Sequence, residues 1–308
     1  MGSQSKHIVV VGSSNMDLVA KAPRIPITGE TLMGTDFFMV PGGKGANQAV
    51  AAAKLGAKVF FVAKLGKDIF ASQSLSNFEQ FRIDTKYIGQ VDGVPSGIAI
   101  IAIDDNGKNS IIVVPGANHR LTPADVVNAE QDIVSAGVVV AQLEIPLETV
   151  EQAAKLAKKH NVPFILDPAP ARPVSDELLK MVAIIKPNEI EAEMITGIKI
   201  TDQAAASRAA DVLMQRGVKT VLITMGDKGF LLATKKTRNF VESKKVAVVD
   251  STAAGDAFTG ALAAELVCGR SVMDSALYAN NVAALSVTRL GAQSSMPTRE
   301  EVKAFIAG

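Results

Sequence analysis

The sequence predicts an α/β fold: a doubly wound, mainly parallel central sheet flanked by helices, with a small β-sheet lid. Three observations carry this. An apolar run, His7 to Val11, ends at Gly12 and reads as a buried first strand. From Leu121 onward, short β-rich runs alternate with helical segments, the order that builds a parallel sheet covered on both faces. Residues 96–114 differ: Ile98 to Ile103 and Ser110 to Val114 flank Asp104-Asp105-Asn106-Gly107, and an Asn-Gly pair between β runs marks a hairpin.

The elements follow in order. Residues 17–41 are irregular, with three prolines and two glycines among short β-type stretches. Asn47 to Leu55 is Ala-rich and helical, ended by Gly56; Val59 to Ala63 is a strand and Ile69 to Phe81 a helix. A helix after Pro123 leads to the strand Val138 to Leu143, and helix 147–159 to the strand Phe164 to Leu166. Helix 175–180 precedes the strand Val182 to Ile185, and helix 202–215 the strand Thr220 to Ile223. Strands Gly229 to Ala233 and Val246 to Val249 bracket a polar stretch. Helices 256–267, 271–287 and 299–306 close the chain. The whole of 1–308 reads as one large α/β unit, with inserts at about 17–41 and 96–114 forming a small sheet. Such a sheet cannot bury both its faces, so it is expected to cover a substrate or another subunit.

Composition narrows the function classes. The 308 residues are 48% apolar, with 32 basic and 31 acidic side chains, a balance that points to no nucleic acid and no membrane partner. Lys235-Lys236 and Lys244-Lys245 read as solvated turn charges. Cys268 is the only cysteine, which rules out an intrachain disulfide, and its place after an apolar helical run predicts burial. With three histidines there is no Cys/His metal cluster. No apolar h-region or bilayer-length run is present, so the expected location is cytoplasmic, with nuclear presence open to a eukaryotic chain.

Polar residues recur where ligands of such sheets sit, beyond the carboxyl ends of strands. Asn15 and Asp17 follow the first strand; Glu144, Asp167, and Asn188 with Glu191 follow later ones. Thr224 with Gly226, Asp227, Lys228 and Gly229 follows another, and Asp250 and Asp256 the last. Each has a plainer reading: Asn188-x-x-Glu191 is a capping box, 225–229 a turn, Asn15 and Asp17 Asx-turn formers, and Glu144 a strand end.

Two segments stand out. Gly42-Gly43-Lys44-Gly45-Ala46-Asn47 precedes a helix but is neither a GxxxxGK[ST] loop nor a dinucleotide fingerprint. Its glycines allow close backbone approach, Lys44 can meet phosphate or hydroxyl, and Asn47 can donate and accept. Ser251-Thr252-Ala253-Ala254-Gly255-Asp256 reads as a tight turn into a helix whose free N–H groups can hold an anion. Asp256 in that first turn is open to two roles, helix cap or proton acceptor.

These two segments resemble the two signatures of the ribokinase/PfkB carbohydrate kinase family. Further matches are Gly12-Ser13-Ser14-Asn15-Met16-Asp17, Val114-Pro115-Gly116-Ala117-Asn118, Gln142-Leu143-Glu144, Asp167-Pro168-Ala169-Pro170-Ala171, 187–193 and Gly291-Ala292-Gln293. The resemblance covers essentially the whole chain and implies ATP-dependent phosphorylation of a sugar, with ribose favoured at its 5-hydroxyl. It implies Asn15, Asp17, Gly43, Lys44, Asn47 and Glu144 as sugar ligands, Asp256 as sugar ligand and catalytic base, and Ala253, Ala254 and Gly255 as the anion hole. Asn188, Thr224, Gly226, Asp227, Lys228, Gly229 and Asn280 would meet the nucleotide. Glu191 would organise Mg²⁺ through water, and Asp250, Thr252, Ser286, Arg289, Gly291 and Ser295 a monovalent cation, expected to be K⁺, largely through carbonyls. The small sheet would also form a homodimer contact. Relatives often carry Gly where Ala253 stands, which is tolerable at negative φ. The alternatives are a related kinase for another pentose, deoxyribose or a nucleoside, and a non-catalytic sugar sensor; a dehydrogenase lacks its phosphate fingerprint.

Overall fold

The structure, a computed structural model, describes residues 6–308. Its first half contains β1 (Ile8–Val11), β2 (Asn15–Lys21), β3 (Asp36–Gly42), α1 (Lys44–Lys54), β4 (Val59–Gly66), α2 (Ile69–Gln80), β5 (Asp84–Val91), β6 (Gly97–Ile103) and β7 (Asn109–Val114). The middle runs through α3 (Pro123–Asn128), α4 (Glu130–Ser135), β8 (Val138–Ala141), α5 (Leu147–Lys159), β9 (Phe164–Leu166), α6 (Asp176–Leu179) and β10 (Ile184–Ile185). Then come α7 (Glu189–Thr196), α8 (Gln203–Gln215), β11 (Thr220–Thr224), β12 (Phe230–Ala233), β13 (Arg238–Val241), α9 (Ala254–Val267), α10 (Val272–Ser286) and α11 (Arg299–Ala307).

Nine strands form the large sheet in the order β13-β12-β11-β10-β9-β8-β1-β4-β5, parallel except for the antiparallel edge pair β12 and β13. Alternate strand residues feed two separate cores, as the two-residue period of a strand requires. Val9 and Val11 pack with α3, α5 and α8, whereas Ile8 and Val10 pack with α1, α9 and α10. The chain moves from β1 to β4 and β5 on one side, then starts again at β8 on the other. The crevice beyond the carboxyl ends of β1 and β8 is therefore the topological switch point.

The second sheet has the order β3-β2-β6-β7, with β2 antiparallel to β3 and parallel to β6. The irregular stretch 17–41 thus contributes two paired strands, and the predicted hairpin is β6 and β7.

Two expectations need correction, and two strands were missed. Val246 to Val249 forms no strand among the described residues; Val248 and Val249 are 62% and 61% exposed. The sheet ends at β13, so this run has no ladder to join, and β-branched composition alone does not make one. Cys268 is exposed, because it caps the end of α9 after the last buried turn. Strands β5 and β13 were not foreseen: Asp-Thr-Lys-Tyr-Ile-Gly-Gln-Val and Arg-Asn-Phe-Val are polar edge strands with weak apolar periodicity.

Candidate active site

The start of α1 is shaped by glycines. Gly43 is its N-cap at φ 89°, and a Cβ there would lie 2.6 Å from the Asn15 backbone nitrogen. Gly45 packs against the Ser13 nitrogen just as closely. This brings α1 down onto the chain leaving β1. Lys44 N–H and Ser13 Oγ both donate to Glu144 Oε2, at 3.0 and 2.6 Å. Asn15 Oδ1 accepts from Asn118 Nδ2 at 2.7 Å, and Gly42 lies directly against the Asp17 carboxylate. Asn15, Asp17, Gly43, Lys44 and Glu144 are thus brought together.

Asp256 belongs to the same cluster. It stands in the first turn of α9, yet the N-cap is Ala253 and no side chain caps this helix. Its carboxylate turns inward instead, to accept from Asn47 Nδ2 at 2.9 Å and Gln48 Nε2 at 3.1 Å. Of the two roles open to Asp256, the cap is not taken. Ala254 N–H reaches Ser251 O at 3.3 Å, while Gly255 and Asp256, in the first turn, have no intrahelical acceptor for theirs.

Ala253 has φ 59°, not the negative value expected of it. The turn must reverse direction within three small residues to present these N–H groups, and the left-handed conformation does this. A Cβ in that region costs about 1–2 kcal/mol.

Beneath Asp256 lies a buried ionic network. Asp167 Oδ2 accepts from Gln48 Nε2 at 2.9 Å and Thr259 Oγ1 at 3.0 Å, and pairs with Lys186 Nζ at 3.2 Å. Lys186 also reaches Gly255 O at 3.4 Å. Asp167 Oδ1 is buried without a partner.

The charges explain the titration behaviour. Burial, then the carboxylates of Glu144 and Asp256, push Asp17 up to about 7. Burial pushes Asp256 up to about 6, opposed by the Lys44 ammonium. Burial works against the Lys44 charge, but Asp256, Glu144, Asp167 and Glu191 together hold it above the usual lysine range. Burial and then Asp167 raise Glu191.

A second group of residues flanks this cluster. Asn188 and Glu191 form the predicted capping box at the start of α7, and Asn188 bridges to Thr224 at the end of β11. Gly226 to Lys228 form a 3₁₀ turn, and a Cβ at Gly229 would run into Val241 O. Lys245 reaches Asp227 O across this turn, and Asn280 Nδ2 donates to Glu242 O at 3.2 Å, so segment 242–245 lies between Asn280 and the turn.

Asp250 joins two loops. Its Oδ1 accepts from Thr252 N–H and its Oδ2 from Gly291 N–H, each at 2.9 Å. Burial alone would raise Asp250, but the Thr252 hydroxyl and these two N–H groups hold it below the usual carboxylate range. Val287 O takes the N–H of Val249 and Asp250, which lays the segment after Ser286 along the same loop. Ser295 Oγ turns back to Ala292 O, and the Arg289 guanidinium pairs with Glu301, leaving only its backbone to face the loop. Among the described residues, no three His, Cys, Asp or Glu side chains form a metal cage. Glu191 and the unpartnered Asp167 oxygen instead fit a hydrated Mg²⁺ that keeps most of its own waters.

Gln48, Gln142, Lys186, Thr259, Asn118 and Gln293 are polar and buried here, but the strand-end pattern did not mark them as site residues. Asn118, Gln142 and Gln293 fall inside strings that match the family, but those strings assign them no role, and Gln48 is marked only by following Asn47.

A family model described as pfkB family carbohydrate kinase matches residues 5–299. The chain is 42% identical to a ribokinase of Haemophilus influenzae, with 98% of each chain covered. It is 39% identical to a deoxyribokinase of Salmonella typhi, over 97% of this chain and 98% of that one. The structure superposes on that of Arabidopsis thaliana ribokinase complexed with ribose and ATP with a TM-score of 0.93, at 34% identity, covering 99% and 100% of the two chains.

Proposed function

The chain belongs to the pfkB family of carbohydrate kinases, and on that premise we propose that it transfers the γ-phosphoryl group of ATP to the 5-hydroxyl of D-ribose, giving ribose 5-phosphate and ADP. One observation carries the reading. Asp256, at a helix start it does not cap, is held by Asn47 beside Lys44, Asp17 and Glu144.

A pentose presents several neighbouring hydroxyls, each a donor and an acceptor. Asn15, Asp17, Lys44, Asn47 and Glu144 supply matching acceptors and donors, and Gly43 lets the sugar approach the backbone. Asp256 takes the proton of the 5-hydroxyl as that oxygen attacks the γ-phosphorus in line. The P–O bond to the β-phosphate breaks, and ADP leaves with the electron pair. The N–H groups of Gly255 and Asp256 meet the charge on the transferred group; Ala253 and Ala254 shape the turn that aims them. By analogy with oxyanion holes, one such donor contributes about 3–4 kcal/mol.

Asn188, Thr224, the 226–229 turn and Asn280 line the nucleotide side. Glu191, with the free Asp167 oxygen, would hold hydrated Mg²⁺, which when bound neutralises phosphate charge. Asp250, Thr252, Ser286, Arg289, Gly291 and Ser295 would hold a monovalent cation, K⁺ by expectation, stiffening the loops that Asp250 already ties.

The small sheet is the lid. Asn15 and Asp17 lie on its β2, so closing it covers the sugar and excludes water. Ile111 and Ile112, neighbours in β7 and hence on opposite faces, are 51% and 62% exposed. Two faces need two covers: the sugar on one side and the lid of a second copy on the other. A homodimer in the cytoplasm is the assembly this supports, and a monomer by light scattering at assay concentration would overturn it.

The similarity to a deoxyribokinase favours 2-deoxyribose as the second reading. An ADP-release assay over ribose, deoxyribose, fructose and adenosine, with and without K⁺, tests both. The highest kcat/KM is expected for ribose; no ribose turnover would reject the reading.

A further inference from the structure

Asp256 is gripped by two consecutive amides of α1, and each of those is gripped in turn. An ionised carboxylate only accepts hydrogen bonds, so Asn47 and Gln48 must both present their NH₂ ends to it. Their oxygens then face away and need donors of their own. Gln293 Nε2 donates to Asn47 Oδ1 at 3.1 Å, and Gln142 Nε2 donates to Gln48 Oε1 at 2.7 Å. Gln293 is itself fixed by Asn77 Nδ2, which donates to its Oε1 at 2.8 Å. Gln142 is fixed by shape, since its amide fills the space where a Cβ on Gly12 would stand. Asn47, Gln48, Gln142 and Gln293 are all buried, and they come from three distant parts of the chain.

We propose that Gln142 and Gln293 are positioning residues for phosphoryl transfer: by donating to Gln48 and Asn47, they lock both inner amides with their N–H groups on Asp256. The inference rests on Asp256 being the base. Without the outer donors, either inner amide can turn and set an oxygen against the carboxylate. That change repels the ionised form and displaces the lone pair that must meet the sugar hydroxyl. Asp167 Oδ2 also accepts from Gln48 Nε2 at 2.9 Å and so shares in holding that amide, whereas the Lys44, Lys186 and Asp17 charges beside Asp256 fix neither amide.

The test uses the full chain carrying Gln142→Met, Gln293→Met or Gln142→Glu, with Asp256→Asn as reference. Each Met variant keeps bulk and loses the donor. Its kcat is expected to fall about 10- to 100-fold, with KM for ATP unchanged. Gln142→Glu keeps a donor while its carboxyl is protonated and loses it on ionisation. Its kcat is therefore expected to approach wild type at acid pH and fall as pH rises, an alkaline limb the wild type lacks. Wild-type kcat in both Met variants, or a wild-type pH profile in Gln142→Glu, overturns the proposal. An equal loss at all pH values in Gln142→Glu also overturns it, because it reports packing alone. Full activity in Asp256→Asn would instead sink the base assignment, which keeps the two failures apart.

Discussion

Asn47 Nδ2 donates to Asp256 Oδ2 at 2.9 Å across 209 residues of sequence, joining the first turn of α1 to the first turn of α9. Two helix starts, one rich in glycine and one in alanine, thereby face each other over one carboxylate. Replacing that carboxylate by an amide keeps its shape and removes its basicity. Asp256→Asn is expected to lower kcat by about 10²–10⁴-fold, the range of general-base contributions. The melting temperature stays near wild type, and ribose binding by calorimetry persists in weakened form. A variant with wild-type kcat contradicts the base role.

The pH dependence follows from the same cluster. Asp256 is pushed up to about 6 and Asp17 up to about 7 in the free protein. Both must be ionised to take a proton or accept from a sugar hydroxyl. The kcat/KM for ribose is expected to fall below neutrality with a slope steeper than one proton, since two interacting carboxylates titrate in turn. A single limb near pH 4 would contradict this.

Stability moves the other way. Asp17 has a folded-state value above its unfolded one, so the folded chain binds the proton more tightly. Its ionisation costs stability progressively from about pH 4 to pH 7, and the full cost is present above that. Asp17→Asn removes the cost. At pH 8 its melting temperature is expected to rise, by about 1.5 °C for each kcal/mol recovered in a chain of this length; near pH 4 the difference disappears. Ribose affinity falls at pH 8, whereas near pH 4, where Asp17 is protonated in the wild type, the two chains bind ribose alike. A lower melting temperature at pH 8 would contradict the assignment.

Much of this site was legible because backbone geometry forced small residues into recognisable strings. Gly43 and Gly45 cannot be larger where α1 meets the chain leaving β1. What stayed hidden has physical reasons too. Val246 to Val249 carries the composition of a strand but lies beyond the last ladder. The edge strands β5 and β13 expose polar residues and lose the apolar pattern. Gln48, Gln142 and Gln293 carry no charge and no periodicity, and the contacts of Gln48 to Asp167 and Asp256 span 119 and 208 residues. Only the folded chain brings them together.

Ala253 supplies a backbone test. Glycine relieves a left-handed strain of about 1–2 kcal/mol but gives back about 0.5–1 kcal/mol in unfolded-chain entropy. Ala253→Gly is therefore expected to stabilise slightly in urea denaturation and to keep turnover. Ala253→Val, β-branched at positive φ, is expected to be less stable than the wild type, which already bears the left-handed cost, and to lose most activity because the N–H groups at 255 and 256 lose their aim. Equal stability of the Gly and Val variants would contradict the left-handed turn.

The central claim is transfer to the 5-hydroxyl of ribose, and phosphorus NMR of the product reads it directly. After incubation of the protein with ribose and ATP, the account predicts ADP and one new phosphomonoester signal, split into a triplet by the two protons on C5. No new phosphomonoester, or a doublet from phosphate on a carbon bearing a single proton, would contradict it.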